Sequence, residues 1–133
     1  MAEAPTELLR GVGLFADLKP RELREIAESM TERRVDVGQT LAVEGQQGIG
    51  FFVIESGTAR VTVDGEERRV LGPGDHFGEI ALIVDTPRTA TVTAETPVVC
   101  WAIAGWAFRP IVQENASVAW RLLDAVAKMV AQR

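Results

Sequence analysis

From about residue 35 to residue 104, glycine, proline and aspartate cut the chain into short runs rich in Val, Ile, Phe and Thr. This punctuation is the mark of an all-β sandwich or barrel. The candidate strands are 34–37, 40–43, 51–55, 59–63, 67–71, 89–93 and 98–103. Asp64-Gly65 lies between two of them and is the strongest hairpin signal in the chain, because the favoured two-residue turn needs positive φ at both positions. Gly45, Gly48, Gly50 and Gly57 predict tight corners among the earlier strands.

The two ends follow a different period. Leu23, Ile26, Ala27 and Met30 fall on one face of a helix, with Pro20 near its start, where a helix accepts proline. Leu8, Leu9, Val12, Leu14, Phe15 and Leu18 predict a short helix and a turn ahead of it. At the other end Val118, Leu122, Val126 and Met129 form one apolar stripe, Asp124 and Lys128 an exposed i, i+4 pair, and Asn115 a candidate N-cap. The expected order is a helical element over 1–33, a β-barrel over 34–104 and helices over 105–133. All of it reads as one domain, with no linker, repeat or low-complexity stretch.

Composition removes several function classes. The chain has 133 residues, 47% hydrophobic and 25% charged, enough for a core without disulfide or metal staples. A formal net charge of −5 disfavours sequence-independent nucleic-acid binding, which needs Lys and Arg on phosphates. Arg33-Arg34 and Arg68-Arg69 are too short for such a footprint and read as solvated faces. No apolar run is long enough for a transmembrane helix. The first residues have neither the basic nor the apolar region of a secretory signal. A single cysteine, Cys100, has no internal partner and reads as a small buried hydrophobe, so the expected location is cytoplasmic.

The chemistry concentrates in residues 74–94, GDHFGEIALIVDTPRTATVTA. Gly78 opens a short apolar run that can form one or two helical turns. The start of such a turn exposes unpaired N–H groups, a natural anion site, and Gly78 lets an anion approach the backbone. Glu79 has only acceptor oxygens, so beside an anion it suits hydroxyls, as acidic residues suit a ribose 2′-OH. Arg88 supplies a planar fork that pairs with phosphate oxygens at two points. Asp85-Thr86-Pro87 reads as a turn that brings Arg88 back over Gly78.

Phe77-Gly78-Glu79-Ile80-Ala81-Leu82, followed by Pro87-Arg88-Thr89-Ala90-Thr91-Val92, resembles the phosphate-binding cassette of the cyclic-nucleotide-binding domain family, of the catabolite activator and protein kinase A regulatory subunit type. Glu44-Gly45, Gly48, Phe52-Val53-Ile54 and Gly57 resemble its glycine-marked strands, and Leu14-Phe15 with Leu18 its N-terminal helical element. The resemblance implies a mainly β fold, a double-stranded β-helix or jelly-roll barrel with N- and C-terminal helices. It implies a ligand, cAMP or cGMP, and no cofactor or metal. Gly78 and Ala81 match positions whose N–H groups face the cyclic phosphate, Glu79 the glutamate on the ribose 2′-OH, and Arg88 the arginine on the phosphate. Thr89 and Ala90 match the pair that also lines the phosphate, and Phe77 and Ile80 complete the ligand-binding set. His76 stands where no fixed residue type is expected and reads as a loop histidine.

The implied protein is a regulatory sensor, not an enzyme, that relays binding through movement of its C-terminal helix. Arg121, Met129 and Trp120 are candidates to cap the base, while Phe108, Leu122 and Leu123 are expected to form an apolar hinge against Ile80 and Leu82. Trp101, Trp106 and Trp120 otherwise read as core or helix-packing residues. An effector protein or domain is an expected partner, as is a second copy through the C-terminal helix. Direct DNA binding and membrane association are not expected. The alternatives are a sensing fragment of a larger regulator or enzyme, and an interaction platform without ligand. A metal-dependent enzyme on a similar barrel is disfavoured, since one histidine and one cysteine cannot build a His-rich centre.

Overall fold

The computed structural model describes residues 4–46, 50–83 and 87–131, without the side chains of Met129 and Val130. Helices α1 (Thr6–Arg10) and α2 (Pro20–Ser29), with a 3-10 turn at Gly13–Phe15 between them, precede eight strands. These are β1 (Thr31–Val35), β2 (Thr40–Ala42), β3 (Phe51–Ser56), β4 (Ala59–Val63), β5 (Glu66–Leu71), β6 (His76–Phe77), β7 (Thr91–Ala94) and β8 (Val98–Ile103). A 3-10 helix, Glu79–Leu82, interrupts them, and α3 (Gly105–Val112) and α4 (Ala116–Ala131) follow.

The strands form two antiparallel sheets, ordered β1-β8-β3-β6 and β2-β7-β4-β5. Apart from the β4–β5 hairpin, every connection passes from one sheet to the other, which is the winding of a jelly roll. The expected closed barrel is corrected here: the sheets face each other without closing. β6 has two residues and β2 three, too short to carry ladder bonds across the gap. The Asp64-Gly65 hairpin forms as expected, with both residues at positive φ.

Two clusters explain why β3 reads as an unbroken apolar run rather than an alternating one. Phe52 and Ile54 point between the sheets, with Leu41, Val61, Leu71, Phe77, Val92 and Cys100. Phe51 and Val53 point the other way, into a second cluster with Leu9, Phe15, Ile26, Trp101, Ile103, Phe108, Val118 and Leu122. The helices therefore cover the outer face of the first sheet. Phe15 meets the Phe51 ring edge-on, with centroids 5.7 Å apart, and Phe108 at 6.0 Å. Full burial of each such side chain contributes about 1.5–3 kcal/mol.

Leu23, Ile26, Ala27 and Met30 are buried as the helical period requires. Val118 and Leu122 are buried too, Asn115 Oδ1 accepts from Val118 N, and Lys128 pairs with Asp124. Other expectations need correction. β1 begins at Thr31, inside the stretch expected to be helical, because Met30 leaves α2 in an extended conformation. β7 starts two residues later than expected, and β6 was not foreseen, being too short to show a pattern. Trp101 is buried, but Trp106 and Trp120 are exposed, 74% and 69%. The apolar stripe of α4 runs through Val118 and Leu122, so Trp120 and Leu123 fall on its outer face. The expected turn at 85–87 and the side chain of Met129 lie outside the described residues, apart from Pro87.

Cys100 has no exposed surface, and burial pushes its thiol up to about 11, against a smaller opposing pull from Arg33. The reactive species is the thiolate. A thiol reagent at pH 7–8 is therefore expected to label this cysteine at least a hundredfold faster in denaturant than in the native protein. Because the folded value is raised, the stability held by the neutral thiol is complete below about 8.5, and it is lost as pH rises toward about 11. Cys100→Ala should lose that part of the alkaline decline in a series of melts from pH 8 to 11.

Candidate functional site

The crossover from β6 to β7 carries the residues singled out in the sequence, and it lies beside the crossover from β2 to β3. Two backbone bonds join these loops: Gly45 N donates to Arg88 O at 2.8 Å, and Arg88 N donates to Gln46 O at 2.9 Å. That pairing anchors the arginine's backbone. Its guanidinium reaches inward, where Nη2 donates to Gly50 O at 2.7 Å. The guanidinium carbon stands 5.5 Å from the centroid of the Phe52 ring, which is itself stacked on Phe77 at 4.8 Å. Nε is buried without a hydrogen-bond partner. Burial lowers the Arg88 pKa from its ordinary value, and the guanidinium still remains charged.

Gly78 has φ +91°, a conformation that costs an L side chain. A Cβ there would stand 2.6 Å from Gly50 O and 3.0 Å from Arg88 Nη1. Only a glycine lets the cassette backbone, the Gly50 carbonyl and the guanidinium meet. The expectation that Arg88 lies over Gly78 is thus met in the geometry. Gly78 also caps the 3-10 helix Glu79–Leu82, so the run after it is helical for one turn. The N–H of Ala81 donates to Gly78 O at 3.0 Å and closes that turn, so here it is engaged within the chain.

Glu79 is the one buried charged residue among the described residues, with 6% of its surface exposed. A buried carboxylate needs a partner. Its partner is His76, whose Nδ1 stands 2.5 Å from Glu79 Oε1. His76 is not in a loop, as expected, but in β6, half-buried, with its ring 5.2 Å from Phe51. Sequence reasoning set this residue aside, and so it missed the pair. An i, i+3 His-Glu spacing across a strand end is the only signal that could have found it. Phe77 is buried, Ile80, Ala81 and Ala90 are half-buried, and Thr89 is exposed.

Leu82, at the end of the 3-10 helix, joins Phe108 and Leu122 in the helix-side cluster, whereas Leu123 is 59% exposed and takes no part in the expected hinge. Gly105, at the start of α3, presses directly on the cassette: a Cβ there would stand 2.3 Å from Ala81 O. Of the candidate base caps, Trp120 faces solvent and Arg121 is paired with Asp17 at 2.8 Å. A cleft of about 460 Å³ lies between them, lined by Asp17, Ala116, Ser117, Trp120, Arg121 and Asp124. It shares no residue with the cassette, and its cation already has a carboxylate, so the cassette is the better anion site. Among the described residues, no three His, Cys, Asp or Glu side chains gather to hold a metal ion, and no helix is long and apolar enough to cross a membrane.

The family model for the cyclic nucleotide-binding domain matches residues 32–115. The chain is 33% identical over 117 residues to the cAMP-dependent protein kinase regulatory subunit of Yarrowia lipolytica, a match covering 88% of this chain and 31% of that protein. It is 37% identical over 97 residues to the cGMP-dependent protein kinase of Eimeria tenella, covering 73% of this chain and 10% of that one. The regulatory domain of Toxoplasma gondii PKA, solved with cAMP, is similar with a TM-score of 0.75 and 34% identity, over 84% of this chain and 44% of that one. The chain spans about a third or less of the length of these curated relatives. It belongs to the cyclic nucleotide-binding domain family.

Proposed function

We propose that this chain binds a 3′,5′-cyclic purine nucleotide, cAMP or cGMP, as a regulatory sensor, and leaves the ligand chemically unchanged. One observation carries the reading: a half-buried arginine, whose Nε is buried without a partner, lies over a left-handed glycine, in the crossover that also holds the buried Glu79. Such a cation suits an anion that cannot be neutralised, and the adjacent carboxylate suits hydroxyls. Arg88 takes the cyclic phosphate, with the N–H groups of Gly78 and Ala81. Thr89 and Ala90 line the same phosphate, Glu79 holds the ribose 2′-OH, and Phe77 and Ile80 form the wall. The relatives' names support the ligand class, and they include both a cAMP- and a cGMP-dependent protein.

The output is a shift of α3 and α4. Its support is the contact of Gly105 with Ala81 O and the shared packing of Leu82, Phe108 and Leu122. A ligand moves these helices only by binding one arrangement better than another. The receiver is an effector protein or domain, as the name of the regulatory-subunit relative suggests. Self-association would use the outer face of α4, where Trp120 and Leu123 are exposed.

Titration with cAMP and cGMP tests the reading. At ligand about 100 times Kd, binding adds about 2.7 kcal/mol, a melting shift of roughly 5–15 °C for a chain of this size. Amide exchange should slow across 78–90 and also change in α3 and α4. No melting shift with either nucleotide at millimolar concentration would end the binding proposal. Protection confined to the cassette would end the relay.

A further inference from the structure

We infer that His76 is a positioning residue for Glu79, and that through it this chain's preference for a ribose over a 2′-deoxyribose ligand is set. The inference deepens the proposed function and rests on Glu79 reading the 2′-OH.

Three observations meet here. The carboxylate is buried, with 8% of its side chain exposed, so its direction is fixed by what holds it rather than by water. His76 Nδ1 stands 2.5 Å from Oε1. An ionised carboxylate only accepts, so Nδ1 carries the proton and donates. That bond engages Oε1 and leaves Oε2 as the acceptor for a ligand hydroxyl. The imidazole is in turn held in place: it is on β6, whose register pairs Val53 with His76, and its ring lies against Phe51 at 5.2 Å. Phe51 is fully buried and wedged by Phe15. A chain of packed rings therefore sets the imidazole, and the imidazole sets the carboxylate. Without that donor, Glu79 would have one oxygen in a dry site with no bond, and its ionised form would lose the orientation that a hydroxyl must meet. Bonds to a charged group are worth more than neutral ones, so the effect on a ligand read by that group is expected to be about tenfold or more.

The test compares cAMP with 2′-deoxy-cAMP by calorimetric titration of the wild-type protein, His76→Phe and His76→Asn. Phe keeps a ring against Phe51 and removes both nitrogens; Asn returns an N–H near the place of Nδ1. Wild type is expected to prefer the ribose ligand. His76→Phe should weaken cAMP about tenfold while changing 2′-deoxy-cAMP by less than about threefold. His76→Asn should recover at least half of the lost preference on a logarithmic scale. In a Glu79→Gln background, His76→Phe should add no further loss of preference. Equal weakening of both ligands by His76→Phe would reduce His76 to a packing residue and overturn the inference. So would an unchanged preference, or a preference that Asn fails to restore. A wild-type protein that binds both ligands equally would instead overturn the role of Glu79 itself, before any His76 variant is read. If His76→Phe does not fold, the Asn variant decides: full loss of its preference overturns the inference, and retained preference supports it.

Discussion

Arg88→Ala should weaken cyclic-nucleotide binding by a factor of about 30 to several thousand, while the ligand-free protein melts within a few degrees of wild type. The size follows from truncating one side of a desolvated charge pair, which typically costs about 2–5 kcal/mol. The phosphate stays charged at neutral pH, so nothing else in the pair can adjust. The unchanged fold follows from the other face of the same residue. Arg88 is half-buried with its Nε buried and unpartnered, and among the described residues its guanidinium meets Gly50 O, the backbone at Gly78 and the face of Phe52. A partly desolvated cation so held contributes little to the ligand-free fold, because its desolvation offsets what its contacts supply. Calorimetric titration with cAMP and cGMP, paired with melts, separates the two effects. Arg88→Lys should lie between, because an ammonium keeps the charge and loses the planar fork. Binding by Arg88→Ala within about threefold of wild type would remove the arginine from the site.

Gly78→Ala should damage both the fold and the site, and a second glycine isolates the reason. Gly74 has φ +87° with open space around it, whereas Gly78 has φ +91° with the Gly50 carbonyl 2.6 Å from the added Cβ. Backbone strain alone costs about 1–3 kcal/mol. Gly74→Ala should therefore lower the melting temperature by roughly 3–10 °C and leave nucleotide affinity nearly unchanged. Gly78→Ala carries the same strain and must also push away the carbonyl that anchors Arg88. It should melt lower still and lose binding by about tenfold or more. If the two variants match in both measurements, the close approach of Gly50 to the cassette has no energetic weight.

The sequence showed the jelly roll through its turn chemistry more than through its strands. Asp64-Gly65 and the positive-φ glycines mark corners, and corners are local, so they can be read without the fold. Strand limits are less local. Thr31 joins β1 because Ala102 on β8 pairs with it, as Trp101 pairs with Glu32, and nothing within residues 25–33 announces that. Sheet closure was misjudged for a similar reason, since it depends on which edges meet. The cassette was legible because Gly78, Glu79 and Arg88 carry distinct chemistry at fixed spacing. His76 was not, since a histidine beside a glycine-rich loop has no meaning until a sheet turns it toward a buried carboxylate. Trp106 and Trp120 show the limit of composition: aromatic residues are usually buried, but the helix period places these two outside.

The bare contact between Gly105 and Ala81 O has a mechanical meaning. Most elements in a protein rest on one another through side chains, which can change rotamer and so take up small displacements. Here the separation is too small for even a methyl group, and Arg109, whose Nη2 would stand 2.6 Å from it, closes the flank. The joint has almost no slack. A displacement of the Ala81 carbonyl by a few tenths of an ångström, too small to register in a softer contact, must be taken up by the backbone of α3. In the relay proposed above, a stiff joint of this kind would set the resolution of the device, for it would let a very small closure at one end be felt at the other.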